Sequence, residues 1–114
     1  MNIAIFGYSG FIGSHIVNVL NNKHNVIKVN ARHIKYNSSN EEIFSNFEKV
    51  LIKPDFIFNF CGNTNPKNKN DFFINEKLSK LIEKYINKKK LKTQFFHIST
   101  INVLIKERLD NYTI

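Results

Sequence analysis

An apolar run, IAIF at residues 3–6, leads into GYSGFIG, and the stretch HIVNVL follows. Three of the four glycines in the chain stand in that turn, at 7, 10 and 13. A short apolar run bounded by glycine predicts a buried strand over 2–6. Ile12, Ile16, Val19 and Leu20 at helical spacing predict a helix over 11–22, with Asn21, Asn22 and Lys23 suited to its end. A strand that passes into a helix through glycines bares main-chain N–H groups at a helix N-terminus, where they and the helix dipole bind phosphate. In that reading Gly7 makes the tight turn out of the strand. Gly10 leaves out the side chain that would block a pyrophosphate, and Gly13 lets the helix pack closely on the sheet. The spacing is Gly-x-x-Gly-x-x-Gly, not Gly-x-Gly-x-x-Gly. A glycine turn with a purely structural purpose is the alternative.

Strand and helix patterns alternate along the rest of the chain. VIKVN, 26–30, predicts a second strand, and HIKY, 33–36, is a candidate third. Ser38 or Ser39 is the expected N-cap of a helix with Glu41 and Glu42 in its first turn. Ile43, Phe44, Phe47, Val50 and Leu51 form its apolar stripe, and Pro54 stops it. DFIFNF, 55–60, predicts a strand and NTNPKNKND a polar loop. A long helix over about 71–88 follows, with Ile74, Leu78, Leu81, Ile82 and Tyr85 on one face, and TQFFHI, 93–98, predicts another strand. Apolar strands that do not alternate with polar residues imply a parallel sheet covered on both faces. Right-handed crossovers make it a doubly wound, mostly parallel α/β sheet. Ligands of such sheets sit at the carboxyl ends of the strands. Gly7–Gly13, Arg32, Cys61–Thr64 and Ser99–Thr100 all fall there.

With 114 residues and 42% hydrophobic content, the chain is one domain with enough apolar material for a core. No run approaches the roughly 18 apolar residues of a membrane span, and no signal peptide is expected. The single cysteine, Cys61, fits a reducing cytoplasm. The net charge of +8 would attract phosphorylated ligands. Lysine, asparagine and isoleucine are spread along the whole chain, so KNKND and NKKKLK read as solvated segments and no nucleic-acid partner is expected. No residue is assigned to a metal.

IAIFGYSGFIGSHIVNVL resembles the start of the extended short-chain dehydrogenase/reductases, the nucleotide-sugar epimerase, dehydratase and reductase group. PDFIFNFCGNT resembles the family's fourth strand and its cofactor-facing end, where Asn, three small residues, any residue and Thr recur. Here these are Asn59, Phe60, Cys61, Gly62, Asn63 and Thr64. FINEKLSKLIEKY is similar to the following helix, with Asn75 at a recurrent asparagine, and FFHISTINV to the fifth strand and its Ser/Thr turn. The resemblance implies an NAD(P)-binding, Rossmann-like fold, incomplete at the C-terminus. It makes residues 1–114 the cofactor-binding portion of an enzyme that acts on a nucleotide sugar by hydride transfer.

The cofactor residues it implies are Gly7, Ser9, Gly10, Phe11, Ile12, Gly13, Arg32, Phe60, Cys61, Gly62, Asn63 and Asn75. NAD-preferring members carry an acid at the end of strand two. This chain has Asn30, Ala31 and Arg32, with Lys35 beyond, so NADP is expected over NAD, because arginine pairs with a 2′-phosphate. Small residues are favoured where strand four passes the cofactor. Cys61 fits as one, and no basic sequence neighbour supports it as a nucleophile. Phe60 is bulkier than the pattern and is expected to point into the core. His33 reads as a surface loop residue. For catalysis the resemblance implies Thr100, with Ser99 before it, as the hydroxyl that holds the substrate oxygen, and Tyr112 as acid/base. Tyr112 lies twelve residues after Thr100, and the family's partner lysine, four residues on, would fall beyond Ile114. Without that lysine, turnover is not expected, and a non-catalytic dinucleotide-binding module is the alternative. A homodimer would cover the exposed sheet edge.

Overall fold

The computed structural model describes residues 1–31, 34, 35, 37–62 and 67–98. In these residues β1 (Asn2–Phe6), α1 (Phe11–Leu20), β2 (Asn25–Val29), α2 (Asn40–Val50), β3 (Phe56–Asn59), α3 (Lys69–Glu76), α4 (Leu78–Lys89) and β4 (Gln94–His97) follow in order. The strands form one all-parallel sheet in the order β2-β1-β3-β4. This is the Rossmann-like α/β arrangement expected from the alternating pattern.

Alternation along each strand separates the two faces of the sheet. Ala4, Phe6, Val29 and Ile57 point to one side and meet Ile43, Phe47 and Leu51 of the α2 segment, Phe73 of α3, and Leu78, Leu81, Ile82, Tyr85 and Ile86 of α4. Phe47 is the hub. Its ring lies edge-on to Phe6 at 5.7 Å and to Tyr85 at 5.4 Å, so α2 and α4 are locked onto β1 together. Ile3 and Ile5 point to the other side and pack on Val17 of α1.

Helices thus flank the sheet on both sides, as expected. Among the described residues only α1 lies on that second face, and part of it over β3 and β4 is left open. Phe56, Phe58 and Phe96 stack across β3 and β4 at 5.1–6.4 Å, and Phe96 is 41% exposed. Phe60 continues the row, parallel to Phe58 at 5.9 Å. It is half-buried on the α1 side and does not enter the larger core.

Ser39 is the N-cap of α2. Its Oγ accepts from the Glu42 N–H at 3.2 Å, with Glu41 and Glu42 in the first turn. Ser39→Ala should lower stability by about 1 kcal/mol, read as a shift of the urea midpoint with unchanged slope.

Two further expectations are corrected. Ile34 and Lys35 of HIKY are not in a strand; Ile34 donates its N–H to Ala31 O at 3.0 Å and drops its side chain into the larger core. Among the described residues this leaves β2 at the edge of the sheet. The long helix is two helices and starts earlier, at Lys69, because Asn68 caps it by accepting from the Asp71 N–H at 2.9 Å. The break falls at Lys77, where φ −110 departs from the usual −63 while the backbone stays in the right-handed region. Lys77 closes α3 through Phe73 O and opens α4 through Leu81 N.

Candidate active site

The turn after β1 is built by two glycines that the fold itself demands. Gly7 has φ +77, and a Cβ there would lie 2.7 Å from Phe60 C and 2.8 Å from Cys61 N. The glycine turn therefore sits directly against the backbone at the end of β3. A Cβ on Gly13 would lie 2.0 Å from Gly7 O and 2.8 Å from Gly7 C. What Gly13 lets α1 approach is the carbonyl of the turn, which refines the expectation of close packing on the sheet.

Gly10 is different. The nearest atom to a Cβ there is Gly7 O at 3.5 Å, an ordinary contact, and its φ of −74 suits any residue. Nothing among the described residues fills the space that Gly10 leaves. Gly10 is also the N-cap of α1 and makes no side-chain cap, and α1 has no acid in its first turn. No acceptor among the described residues meets the amides of Phe11, Ile12 and Gly13. Among the described residues the N-terminal pole of α1 is thus open, its first donors unmet and no side chain placed over it.

A cleft of about 320 Å³ opens there, within the size range of small-molecule sites. Gly7, Tyr8, Ser9 and Gly10 form one wall, Val29, Asn30 and Ala31 a second, Phe60, Cys61 and Gly62 a third, and Asp71 and Ile74 of α3 a fourth. The carboxyl ends of β1, β2 and β3 therefore converge as the strand order requires. Of the residues singled out from sequence, Gly7, Ser9, Gly10, Phe60, Cys61 and Gly62 line this cleft. Phe11, Ile12 and Gly13 stand in the first turn of α1 beside it, with the Phe11 side chain 93% exposed. Asn75 is half-buried on α3 next to Ile74 and is not a lining residue. Arg32, Asn63, Thr64, Ser99, Thr100 and Tyr112 lie outside the described residues, as does His33.

Asp71 is the lining residue that sequence reasoning missed with the most chemistry. Its carboxylate accepts from the Lys67 N–H at 3.0 Å, which ties the start of α3 to the cleft. The Asn-x-x-Asp spacing of a capping pair was the signal that could have placed it. Tyr8, Asn30 and Ile74 carried no such signal. Burial pushes the Cys61 thiol up to about 12, so Cys61 lines the cleft as a neutral thiol.

The model of the NAD dependent epimerase/dehydratase family matches residues 3–106. The chain belongs to that family. This NAD-dependent epimerase/dehydratase domain is similar in fold to the crystal structure of a hypothetical dTDP-4-dehydrorhamnose reductase from Sulfolobus tokodaii. The TM-score is 0.65 at 24% identity, over 87% of this chain and 39% of that one. The protein lin1944 from Listeria innocua matches with a TM-score of 0.45 and 22% identity, over 65% of this chain and 40% of that one. Comparison with curated proteins gives no match. The chain thus spans well under half the length of either solved structure. Family membership brings a nicotinamide dinucleotide as the general cofactor type, and the cleft fits one, since no described residue takes the room that Gly10 leaves. No helix among the described residues is long and apolar enough to cross a membrane.

Proposed function

We propose that this chain is the cofactor-binding part of an enzyme that transfers a hydride to or from a nucleotide sugar, with NADP preferred over NAD. The observation that carries the reading is the open pole of α1 beside a glycine whose absent side chain the fold does not require. The amides of Phe11, Ile12 and Gly13 hold the diphosphate, with the dipole of α1 behind them. Gly7 and Gly62 let backbone approach it from two sides. Arg32 pairs with the 2′-phosphate beyond the end of β2, where the chain offers Asn30 and Ala31 and no acid. When bound, the nicotinamide supplies the hydride chemistry at a carbon that bears an alcohol or ketone. A hydroxyl of Thr100 or Ser99 donates a hydrogen bond to that oxygen, and Tyr112 exchanges its proton. Tyr112 needs a positive neighbour to work near neutral pH, because free tyrosine titrates near 10.

Fluorescence titration of the chain with NADPH and NADH tests this. Saturable binding of both is expected, with NADPH tighter. Arg32→Ala should weaken NADPH about tenfold and leave NADH nearly unchanged. No saturable binding of either at millimolar concentration overturns the reading.

A further inference from the structure

Asn59 is a fully buried polar side chain in the core, at the carboxyl end of β3. Its carboxamide is read from both ends. The Cys61 N–H donates to Oδ1 at 2.9 Å, which turns Nδ2 towards His97 Nδ1 at 3.3 Å. An amide nitrogen only donates, so His97 offers a lone pair at Nδ1 and carries its proton on Nε2. Asn59 and His97 are register partners, and the Ile98 N–H donates to Asn59 O at 3.0 Å, so the two strand ends are held side by side. On the other side of Asn59, the Cys61 amide is part of the wall against which Gly7 sits. One side chain therefore connects the end of β4 to the glycine turn and to the cleft.

A proton on His97 Nδ1 would set donor against donor. Turning the carboxamide over would give the imidazolium an acceptor but would point Nδ2 at the Cys61 N–H. Neither orientation satisfies all three groups where they stand: the exposed His97 ring can turn to water, but Asn59 is fully buried, and leaving its Nδ2 or the Cys61 N–H unmet is costly. We propose that Asn59 is a positioning residue that transmits the charge state of His97 to the Cys61 wall of the cleft, so that dinucleotide binding requires a neutral His97. This rests on the dinucleotide reading given above.

Burial of its ring lowers the His97 pKa from the ordinary 6.5, and no charged group contributes to that shift. Among the described residues, His97 is the one histidine on β3, β4, α3 and α4. Cys61, just after β3, keeps its proton, as does Tyr85 on α4, whose pKa burial raises with help from Glu48. The other charged side chains of those elements are Lys69, Asp71, Glu76 and Lys77 in the α3 segment and Lys80, Glu83, Lys84, Lys88 and Lys89 on α4. A histidine lowered in the fold contributes stability that is complete above 6.5 and is lost as the pH falls through the folded value.

Binding of NADPH, thermal stability and the Cys61 amide resonance should be followed from pH 5 to 8.5 in the intact chain. All three should titrate together, with affinity about tenfold weaker at the acid end. His97→Asn keeps an acceptor for Asn59 and cannot titrate, so its profile should be flat. Asn59→Asp accepts from both Cys61 N–H and a protonated His97, so its profile should reverse. A Cys61 amide that ignores His97 protonation, or a His97→Asn profile that matches the unaltered chain, overturns the proposal. Should Asn59→Asp not fold, the amide titration and His97→Asn still decide. If the unaltered chain binds neither NADPH nor NADH, the dinucleotide reading fails, while the amide titration still reports on the His97–Asn59–Cys61 connection.

Discussion

Gly13→Ala should destabilise this domain by about 3 kcal/mol, at the upper end of what an added methyl group costs in packed surroundings. Its Cβ would stand 2.0 Å from the Gly7 carbonyl oxygen, and backbone on both sides has to move to admit it. The turn cannot retreat, because Gly7 is itself pressed on Phe60 and Cys61 and already holds φ +77. The helix cannot retreat without lifting Val17 off Ile3 and Ile5. Urea denaturation followed by far-UV circular dichroism measures the loss. A midpoint within experimental error of the unaltered chain would show that the turn and α1 are not wedged together.

Gly10→Asp should do the opposite to stability and far more to binding. The backbone at Gly10 has the extended conformation of an N-cap, and an aspartate there can accept from the unmet amides of Ile12 and Gly13. Its charge also opposes the positive pole of α1. Together these should raise stability by about 1 kcal/mol. The same carboxylate occupies the space and the donors that a diphosphate needs, and repels it. NADPH affinity should fall at least about a hundredfold. Opposite signs for the two measurements distinguish a ligand-binding pole from a helix end that merely lacks a cap. If Gly10→Asp binds NADPH as the unaltered chain does, the diphosphate is held elsewhere.

The family assignment places these two glycines in a shared frame, but the reasons for them differ. Gly13 is demanded by the chain's own backbone, whereas no described residue demands Gly10. The sequence motif alone does not separate these roles, because both are glycines at equal spacing. Distances from a constructed Cβ do separate them.

Much of the architecture is legible along the chain because it is written in local periodicity. The unbroken apolar run IAIF, the stripe of Ile43, Phe47 and Leu51, and Ser39 ahead of two glutamates are all within one element, and each constrains neighbouring dihedrals directly. Parallel pairing then follows from strand–helix alternation, and with it the convergence of Gly7, Gly10, Cys61 and Gly62 on one cleft.

What only the tertiary structure decided depends on contacts between residues far apart in sequence. The break at Lys77 has no glycine or proline to announce it; it lies between Phe73 and Leu78, which both bury in the larger core. Asp71 reaches the cleft because Asn68 starts α3 early, and among the described residues the row of Phe56, Phe58 and Phe96 is left partly open because α1 alone lies on that face. The bond from Asn59 to His97 spans 38 residues and exists only through the register of β3 with β4. Periodicity fixes which way a side chain faces on its own element. Which side chain from another element it meets is fixed by register and packing, and these are properties of the whole fold.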